Sequence, residues 1–282
     1  MTCIASASLL APSVSPLAES PWTRRSRGLI LDLDGTLIRG HEVIPGAREL
    51  LACWSDRYVI VSNNSTDTAA SLAPQLQGLG LPVEAGSVVL AGEQAVHHIA
   101  RSYPHCKLML CGSEHLQACA AGLGLVLVSR DADVVLLARD VGFNYARLQA
   151  VTRELMRGAT LMVSNGDLTH PGPKGSVVPE TGALLRAVLA CVPAVHPHIL
   201  GKPSAMLFKE GLHRLKLSAE DVTVIGDNVR TDALGATRMG MGYLLVGSAP
   251  HADAPDVARL LEIECVRRHA LPEGIAEGDE GQ

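Results

Sequence analysis

Four short apolar runs constrain the fold of this 282-residue chain more than any other feature of its sequence. Each run is continuous, is rich in Val, Ile or Leu, and is followed by polar or glycine residues. The runs occupy residues 28–31, 58–61, 222–225 and 243–246. An apolar run without polar alternation is typical of a parallel strand that is buried on both faces.

Helical patterns separate these runs, for example at 66–79, 204–215 and 231–239. The middle of the chain repeats the alternation, with strand patterns at 88–90, 107–110, 134–137 and 161–163 and helical patterns at 92–101, 113–121 and 144–156. Strands that alternate with helices indicate an open α/β sheet. We therefore predict an α/β core formed by residues 28–85 and 184–269, with a second α/β unit inserted over residues 86–183.

The two ends of the chain differ from the rest in composition. Residues 1–27 are rich in Ser, Ala and Pro, and their arginines follow the apolar stretch, whereas a secretory signal would place its charges first. We expect a disordered extension or a misassigned start codon there, with an organelle transit peptide as the alternative. Residues 270–282 are acidic and glycine-rich, which predicts a flexible tail.

Polar residues gather where the predicted strands end. Asp-Leu-Asp-Gly-Thr at 32–36 follows the first strand, Ser-Asn-Asn-Ser at 62–65 follows the second, and Gly-Asp-Asn at 226–228 follows the third. Gly-Lys-Pro at 201–203 precedes a helix, and Thr-Asp stands at 231–232. Open α/β sheets bind ligands outside the carboxyl ends of their strands, so we expect these segments to form one site.

These residue types suit a phosphate ester and a divalent cation. Carboxylates are ligands that Mg²⁺ prefers, and backbone N–H groups where a loop enters a helix bind phosphate oxygens. One carboxylate of the pair Asp32 and Asp34 can attack as a nucleophile, while the other protonates the leaving oxygen and then activates water. Each segment alone is an ordinary turn, cap or loop, but four of them in this order indicate phosphoryl chemistry.

The four segments resemble, in order, the motifs of the haloacid dehalogenase-like hydrolase superfamily. Further stretches resemble its class IIA, the NagD-type and 4-nitrophenylphosphatase-type phosphatases; they lie at 43–47, 61–64, 143–145, 164–167, 201–204 and 226–232. The resemblance covers residues 28–247. It implies a Rossmann-like parallel-sheet core with an inserted C2-type cap over the active site.

Carried over position by position, the resemblance implies two catalytic acids, a set of phosphate- or substrate-binding residues and a set of Mg²⁺ ligands. The catalytic acids are Asp32, as the nucleophile, and Asp34, as the general acid and base. The phosphate- and substrate-binding residues are Ser62, Asn63, Lys202, Asn165 and Asp167. The Mg²⁺ ligands are Asp32, Asp34 through its backbone carbonyl, and Asp227, with Asp232 supporting the metal's water shell.

Three positions depart from the family pattern. Ser62 stands where Thr is usual, and its hydroxyl group leads us to expect that activity is kept. Gly166 stands where many members have Pro, which predicts a looser cap loop. Arg139 lies in a segment that is glycine-rich in many members, which predicts an unusual cap surface. His170 is a further cap residue that is able to reach a substrate.

The expected activity is Mg²⁺-dependent hydrolysis of a small phosphomonoester through an aspartyl-phosphate. The resemblance suggests nucleotide, sugar, glycolate, glycerol or pyridoxal phosphates, without a choice among them. A phosphotransferase of the same fold and a catalytically idle binding module are the alternatives.

Composition narrows the expected partners and location. A net charge of −5 with 3% aromatic residues argues against a nucleic-acid partner, and no apolar run reaches the roughly 20 residues that cross a bilayer. Seven cysteines without a Cys-x-x-Cys pair predict reduced thiols in the cytoplasm, and their spacing does not predict a zinc site. Members of the family often dimerise through the cap, so a homodimer is a further expectation.

Overall fold

The computed structural model describes residues 26–171 and 176–269, and it has the α/β architecture that the sequence predicts. The strands are β1 (Gly28–Leu31), β2 (Ile38–Arg39), β3 (Glu42–Val43), β4 (Tyr58–Ser62), β5 (Val88–Leu90), β6 (Lys107–Cys111), β7 (Val126–Leu127), β8 (Val134–Leu137), β9 (Thr160–Val163), β10 (Thr169–Pro171), β11 (Val177–Pro179), β12 (His198–Ile199), β13 (Val222–Gly226) and β14 (Gly242–Leu245). The α-helices are α1 (Ala47–Cys53), α2 (Ala69–Gly78), α3 (Ala91–Ser102), α4 (Glu114–Gly122), α5 (Tyr145–Met156), α6 (Thr181–Cys191), α7 (Ala205–Leu215), α8 (Leu234–Met239) and α9 (Val257–His269).

The first sheet has five parallel strands in the order β14-β13-β1-β4-β5. Its central strand is buried on both faces, because Leu29 and Leu31 pack into one apolar cluster and Ile30 packs into another. Helices α1, α2 and α9 cover the first face, and α7 and α8 cover the second. The strand order reverses beside β1, which is where open α/β sheets bind ligands.

The second sheet also has five parallel strands, in the order β12-β9-β8-β6-β7. Helices α3 and α4 pack on one face through Val96, Ile99 and Leu116, and α5 and α6 pack on the other through Val151 and Leu185. Two antiparallel ribbons, β2-β3 and β10-β11, complete the pairing among the described residues. The second sheet thus forms a separate α/β unit between β5 and α7, as the C2-type cap requires.

The boundaries between the two units differ from the predicted ones. Strand β5 pairs with β4 in the first sheet, although residues 86–90 were predicted to open the cap. Helix α6 packs on the second sheet and β12 pairs with β9, although residues 184–199 were predicted to belong to the core. A strand pattern alone does not specify which sheet the strand joins, so the predicted boundaries between core and cap were wrong by several residues.

Side-chain caps set where the helices begin. Helix α2 starts at Ala69, three residues later than predicted, because Asn64 Oδ1 accepts hydrogen bonds from the backbone of Thr66 and Asp67 in a preceding turn. Thr68 then forms a capping box with Ser71. Asn144 and Ser204 cap α5 and α7 more simply, since the side-chain oxygen of each accepts one backbone N–H of the helix.

The first strand begins at Gly28 as predicted, and backbone pairing with the first sheet extends one residue before it. The backbone N–H of Arg27, which was assigned to the disordered extension, donates to Asp221 O at 2.7 Å. The predictions for residues 1–25 and 270–282 fall outside the described residues. Within the described ranges, no helix combines the length and apolar character needed to cross a bilayer.

Candidate active site

The carboxyl ends of β1 and β13 bring three acids and one lysine together. Asp32 follows β1, Asp227 follows β13, and Asp232 lies in the π-helical turn before α8. Lys202, in the loop before α7, donates from Nζ to Asp32 Oδ1 at 2.6 Å and to Asp232 Oδ1 at 2.7 Å. The lysine is only 4% exposed and both of its partners are buried, so the ammonium group is held by these carboxylates in place of water.

Burial and mutual charge set the protonation of this cluster. Removal from water by itself lowers the pKa of Lys202, but Asp232 and Asp32 outweigh it and the pKa is raised. Burial raises the pKa of Asp32 well above its usual range, against the opposing effect of Lys202. Asp227 is an exposed residue, but loss of water around its carboxyl group raises its pKa to about 6. The negative charge of Asp232 is the next largest cause of this rise. Lys202 is therefore a permanent cation that does not balance all three acids.

The acids fit a hard divalent cation. One carboxylate oxygen each from Asp32, Asp227 and Asp232 lies within 4.8 Å of the other two. Three carboxylates beside a single ammonium group leave negative charge that only a further cation offsets, and all three offer oxygen, the ligand atom that Mg²⁺ prefers. The structure therefore brings together three of the four predicted metal ligands.

Gly35 allows the approach of Asp227. Its φ is +86°, and a Cβ atom at this position would lie 2.1 Å from Asp227 Oδ2. A side chain would be strained by the left-handed backbone and would displace the carboxylate. The glycine in the first motif is therefore required for the observed position of the Asp227 carboxylate.

Asp34 lies in the turn after β1, which the Gly35 N–H closes by donating to Ile38 O at 2.8 Å. Asp34 is exposed, but loss of water around its carboxyl group raises its pKa, while the charges of His170 and Lys202 lower it. A solvent-accessible carboxyl group with a raised pKa suits a group that gives and takes protons. Its ligation of a metal through the backbone carbonyl stays a prediction.

Ser62 and Asn63 end β4 beside Lys202. The buried Ser62 hydroxyl group accepts from the Asn64 N–H at 3.1 Å. Asn63 Oδ1 accepts from the Lys202 N–H at 2.8 Å, and Asn63 Nδ2 donates to Asp167 Oδ2 at 2.9 Å. The Asn63 side chain thus positions the lysine loop and joins it to the cap. Contacts of Ser62 and Asn63 with a phosphoryl group stay predictions.

Asn165 and Asp167 lie on the cap side of the same junction. Asn165 is 1% exposed, and its Nδ2 donates to Asn63 O at 2.8 Å and to Ser65 Oγ at 3.1 Å. Asp167 accepts from Asn63 and has its own N–H bound to Asn165 Oδ1. Both residues therefore fasten the cap stretch 164–167 to the loop after β4, and their contact with substrate stays a prediction.

A longer chain of polar contacts across the junction was missed by sequence reasoning. Ser65 Oγ accepts from the Arg139 N–H and bonds Thr181 Oγ1, both at 3.1 Å. The Arg139 guanidinium group lies 3.4 Å from Glu180 Oε1, and the same oxygen lies 2.6 Å from His170 Nδ1. The partners of Ser65 are 74 and 116 residues away in sequence, so no local motif indicates these contacts.

Comparisons with known proteins identify the family and agree with the fold. The model of the haloacid dehalogenase-like hydrolases matches residues 29–126, and a second model of the same superfamily matches residues 199–261. Together these ranges make up more than half of the chain. The 5'-nucleotidase YutF of Bacillus subtilis is 28% identical over 223 residues, which are 78% of this chain and 86% of YutF.

Two solved structures share the fold. The 4-nitrophenylphosphatase of Thermotoga maritima superposes with a TM-score of 0.78 at 24% identity, over 84% of this chain and 97% of that protein. NagD of E. coli K-12 superposes with a TM-score of 0.74 at 23% identity, over 83% of this chain and 97% of NagD. With the motifs assembled at one site, the chain belongs to the haloacid dehalogenase-like hydrolases, and it shares its fold with the 4-nitrophenylphosphatase and with NagD.

Proposed function

We propose that this enzyme hydrolyses small phosphomonoesters through an aspartyl-phosphate on Asp32, with Mg²⁺ as its metal ion. The observation that carries the proposal is the buried Lys202, held between Asp32 and Asp232 at the carboxyl ends of β1 and β13. A fixed ammonium group offsets the repulsion that a carboxylate meets when it approaches a phosphate. The relative named as a 5'-nucleotidase supports the same class of substrate.

In the first step, an Asp32 carboxylate oxygen attacks phosphorus while the bond from phosphorus to the ester oxygen breaks. Asp34, whose raised pKa favours the protonated form, gives its proton to the departing oxygen, so that a neutral alcohol leaves. Lys202 remains charged throughout and offsets the negative charge that gathers around Asp32.

In the second step, the Asp34 carboxylate takes a proton from a water molecule whose oxygen attacks the phosphorus of the acyl-phosphate. The bond from phosphorus to the Asp32 oxygen breaks, which releases inorganic phosphate and restores the Asp32 carboxylate. Asp34 is then protonated again, ready for the next ester. The sum of the two steps is one ester and one water converted into one alcohol and one phosphate.

Asp32, Asp227 and Asp232, with the backbone carbonyl of Asp34, would hold Mg²⁺, which when bound supplies positive charge toward the phosphoryl oxygens. In its absence the excess negative charge of the three acids opposes the entry of a phosphate. The protein's own contribution is to hold the Asp227 carboxylate against Gly35 and to bond both Asp32 and Asp232 to the ammonium group of Lys202.

The cap decides which esters reach Asp32. Its stretch 164–167 is bonded to the loop after β4, and its His170 is held by Glu180 within electrostatic range of Asp34. We propose that His170 contacts the leaving group, because Asp34 is the residue that protonates that group. A cap bonded this close to the site favours small free substrates.

Phosphate release from a panel of nucleotide, sugar, glycolate, glycerol and pyridoxal phosphates tests the proposal, with Mg²⁺ and with EDTA. We expect release only with Mg²⁺, its loss in Asp32→Asn, and its retention in Asp131→Asn, whose carboxylate is exposed on the cap. Brief reaction with a radiolabelled substrate and acid quenching should label the wild type and leave Asp32→Asn unlabelled. Phosphate release by Asp32→Asn at the wild-type rate would refute the aspartyl-phosphate.

The remaining expectations concern location and assembly. We propose that the enzyme acts in the cytoplasm, since an odd number of cysteines without a paired motif suits a reducing compartment. Its net charge of −5 weighs against a nucleic-acid partner. We expect a homodimer, which light scattering coupled to size-exclusion chromatography would measure directly.

A further inference from the structure

A second group of metal-ligating side chains lies away from the catalytic acids. Glu93 and His97 are four residues apart on α3, so their side chains share one helix face. Cys119 lies on α4, which packs against α3 through Leu116 and Ala120. One ligand atom from each of the three lies within 4.8 Å of the other two, and all three side chains are half-buried.

The hydrogen bonding of these three side chains leaves ligand atoms available for a cation. Glu93 Oε2 accepts from the Ala69 N–H at 3.0 Å, which fixes the carboxylate and leaves its other oxygen available. Across residues 26–171 and 176–269, neither the His97 ring nor the Cys119 thiol group is hydrogen-bonded to another residue. The three ligand atoms thus lie close together, and among the described residues neither the imidazole nor the thiol group has a hydrogen bond that a cation would have to replace.

The donor set specifies a different ion from that of the catalytic site. One thiol sulfur, one imidazole nitrogen and one carboxylate oxygen are the ligands that Zn²⁺ takes in proteins, whereas Mg²⁺ prefers oxygen alone. Metal–ligand distances of about 2.0 to 2.3 Å place tetrahedral ligands roughly 3.5 Å apart. The ligand atoms lie within 4.8 Å of one another, so they would have to move closer by about 1.3 Å at most, which rotation of half-buried side chains allows.

We propose that Glu93, His97 and Cys119 form a binding site for Zn²⁺, or for a cation of similar preference, with water as the fourth ligand. Binding replaces the thiol proton of Cys119, so that one proton leaves as the sulfur–metal bond forms. The cation ties α3 to α4 and, through the hydrogen bond of Glu93 to Ala69, ties the cap to the first turn of α2. The site therefore joins the two cap helices beside the hydrogen bond by which Glu93 contacts the core, away from the catalytic acids.

Cobalt titration of the full chain, with Mg²⁺ saturating the catalytic site, tests this proposal. We expect one equivalent of Co²⁺ to produce a thiolate-to-cobalt charge-transfer band that Zn²⁺ abolishes by displacement. Cys119→Ser should lose the band, while Cys191→Ser, an exposed cysteine at the end of α6, should keep it. His97→Gln should weaken Zn²⁺ binding by at least the roughly 10- to 100-fold that loss of an outer-sphere partner costs.

Thermal unfolding gives a second readout, because a cation that binds only the folded state raises Tm. Zn²⁺ should raise the Tm of the wild type and of Cys191→Ser, and not that of Cys119→Ser. If Cys119→Ser does not fold, competition of His97→Gln and wild type with a chromophoric chelator decides the question. A cobalt band that is absent from the wild type or unchanged in Cys119→Ser, or equal Zn²⁺ affinity in His97→Gln and wild type, would overturn the site.

Discussion

Replacement of Lys202 by Met removes a charge from the centre of the site while keeping a long side chain. The ammonium group is 4% exposed and lies 2.6 and 2.7 Å from carboxylate oxygens of Asp32 and Asp232. Removal of one partner from a buried ion pair costs about 3–5 kcal/mol, because the other charge is left without water or a counter-ion. At about 2–4 °C per kcal/mol for a chain of this size, the Tm should fall by about 6–20 °C.

The loss should depend on pH and on Mg²⁺. In acid the carboxyl groups take up protons and no charge is stranded, so Lys202→Met should lose less stability near pH 5 than near pH 8. A divalent cation held by the same acids offsets the missing charge, so Mg²⁺ should raise the Tm of the variant more than that of the wild type. Circular dichroism melts in EDTA and then in Mg²⁺ measure both effects.

Lys209→Met is the matched control, because it makes the same replacement at an exposed lysine of the neighbouring helix α7. It should melt within about 2 °C of the wild type, as surface substitutions usually change stability by less than about 0.5 kcal/mol. The reasoning is refuted if Lys202→Met melts together with Lys209→Met near pH 8 in EDTA. It also fails if the loss of stability is the same at both pH values.

Three further predictions concern the first motif and its metal. Asp34→Asn should lower kcat/KM, which reports the transfer of the phosphoryl group to Asp32, by about 10²–10⁴ for alkyl phosphates and much less for 4-nitrophenyl phosphate, because nitrophenolate leaves without a proton; equal losses of kcat/KM would contradict proton donation. Gly35→Ala should weaken Mg²⁺ binding at least about tenfold by calorimetry, since its Cβ would lie 2.1 Å from Asp227 Oδ2, whereas Gly40→Ala, with open space around it, should not. Mg²⁺ affinity should fall as the pH drops through about 6, where a proton competes for Asp227, and calorimetry showing equal affinity near pH 5 and pH 8 would oppose this.

Two acids of the candidate site were predictable because each follows a strand of recognisable pattern. Residues 28–31 and 222–225 became β1 and β13, and their parallel pairing carries Asp32 and Asp227 to the same edge of the sheet. Once two parallel strands are neighbours, the residues after them are neighbours too. No strand order was predicted; the expectation of a single site came from the rule that open α/β sheets bind ligands at the carboxyl ends of their strands and from the family resemblance.

The domain boundaries were not predictable in the same way. Strand β5 and strand β12 are three and two residues long, and each joins the sheet that the predicted boundary excluded. Helix α6 was not predicted at all, although it begins at Thr181 beside the cap junction. The sheet that such a short element joins is decided by distant partners, and hydrophobic periodicity carries no information about them.

The candidate site has two parts, which differ in how well they were predicted: the charged residues, and the hydrogen bonds between the cap and the core. Asp32 and Asp232 follow strands of the first sheet, and Lys202, in the loop that leads from β12 of the second sheet to α7, is bonded to both acids. The cap is held at the same loop by a few hydrogen bonds, including those of Asn63 with Asp167 and Asn165 with Asn63 O. At a net 0.5–1.5 kcal/mol each, such bonds oppose opening by roughly a few kcal/mol, which thermal motion overcomes on the timescale of turnover. Substrate entry therefore depends on contacts between residues far apart in sequence, which no local motif indicates. The chemistry depends on residues at strand ends, each of which can be recognised from its own segment of sequence.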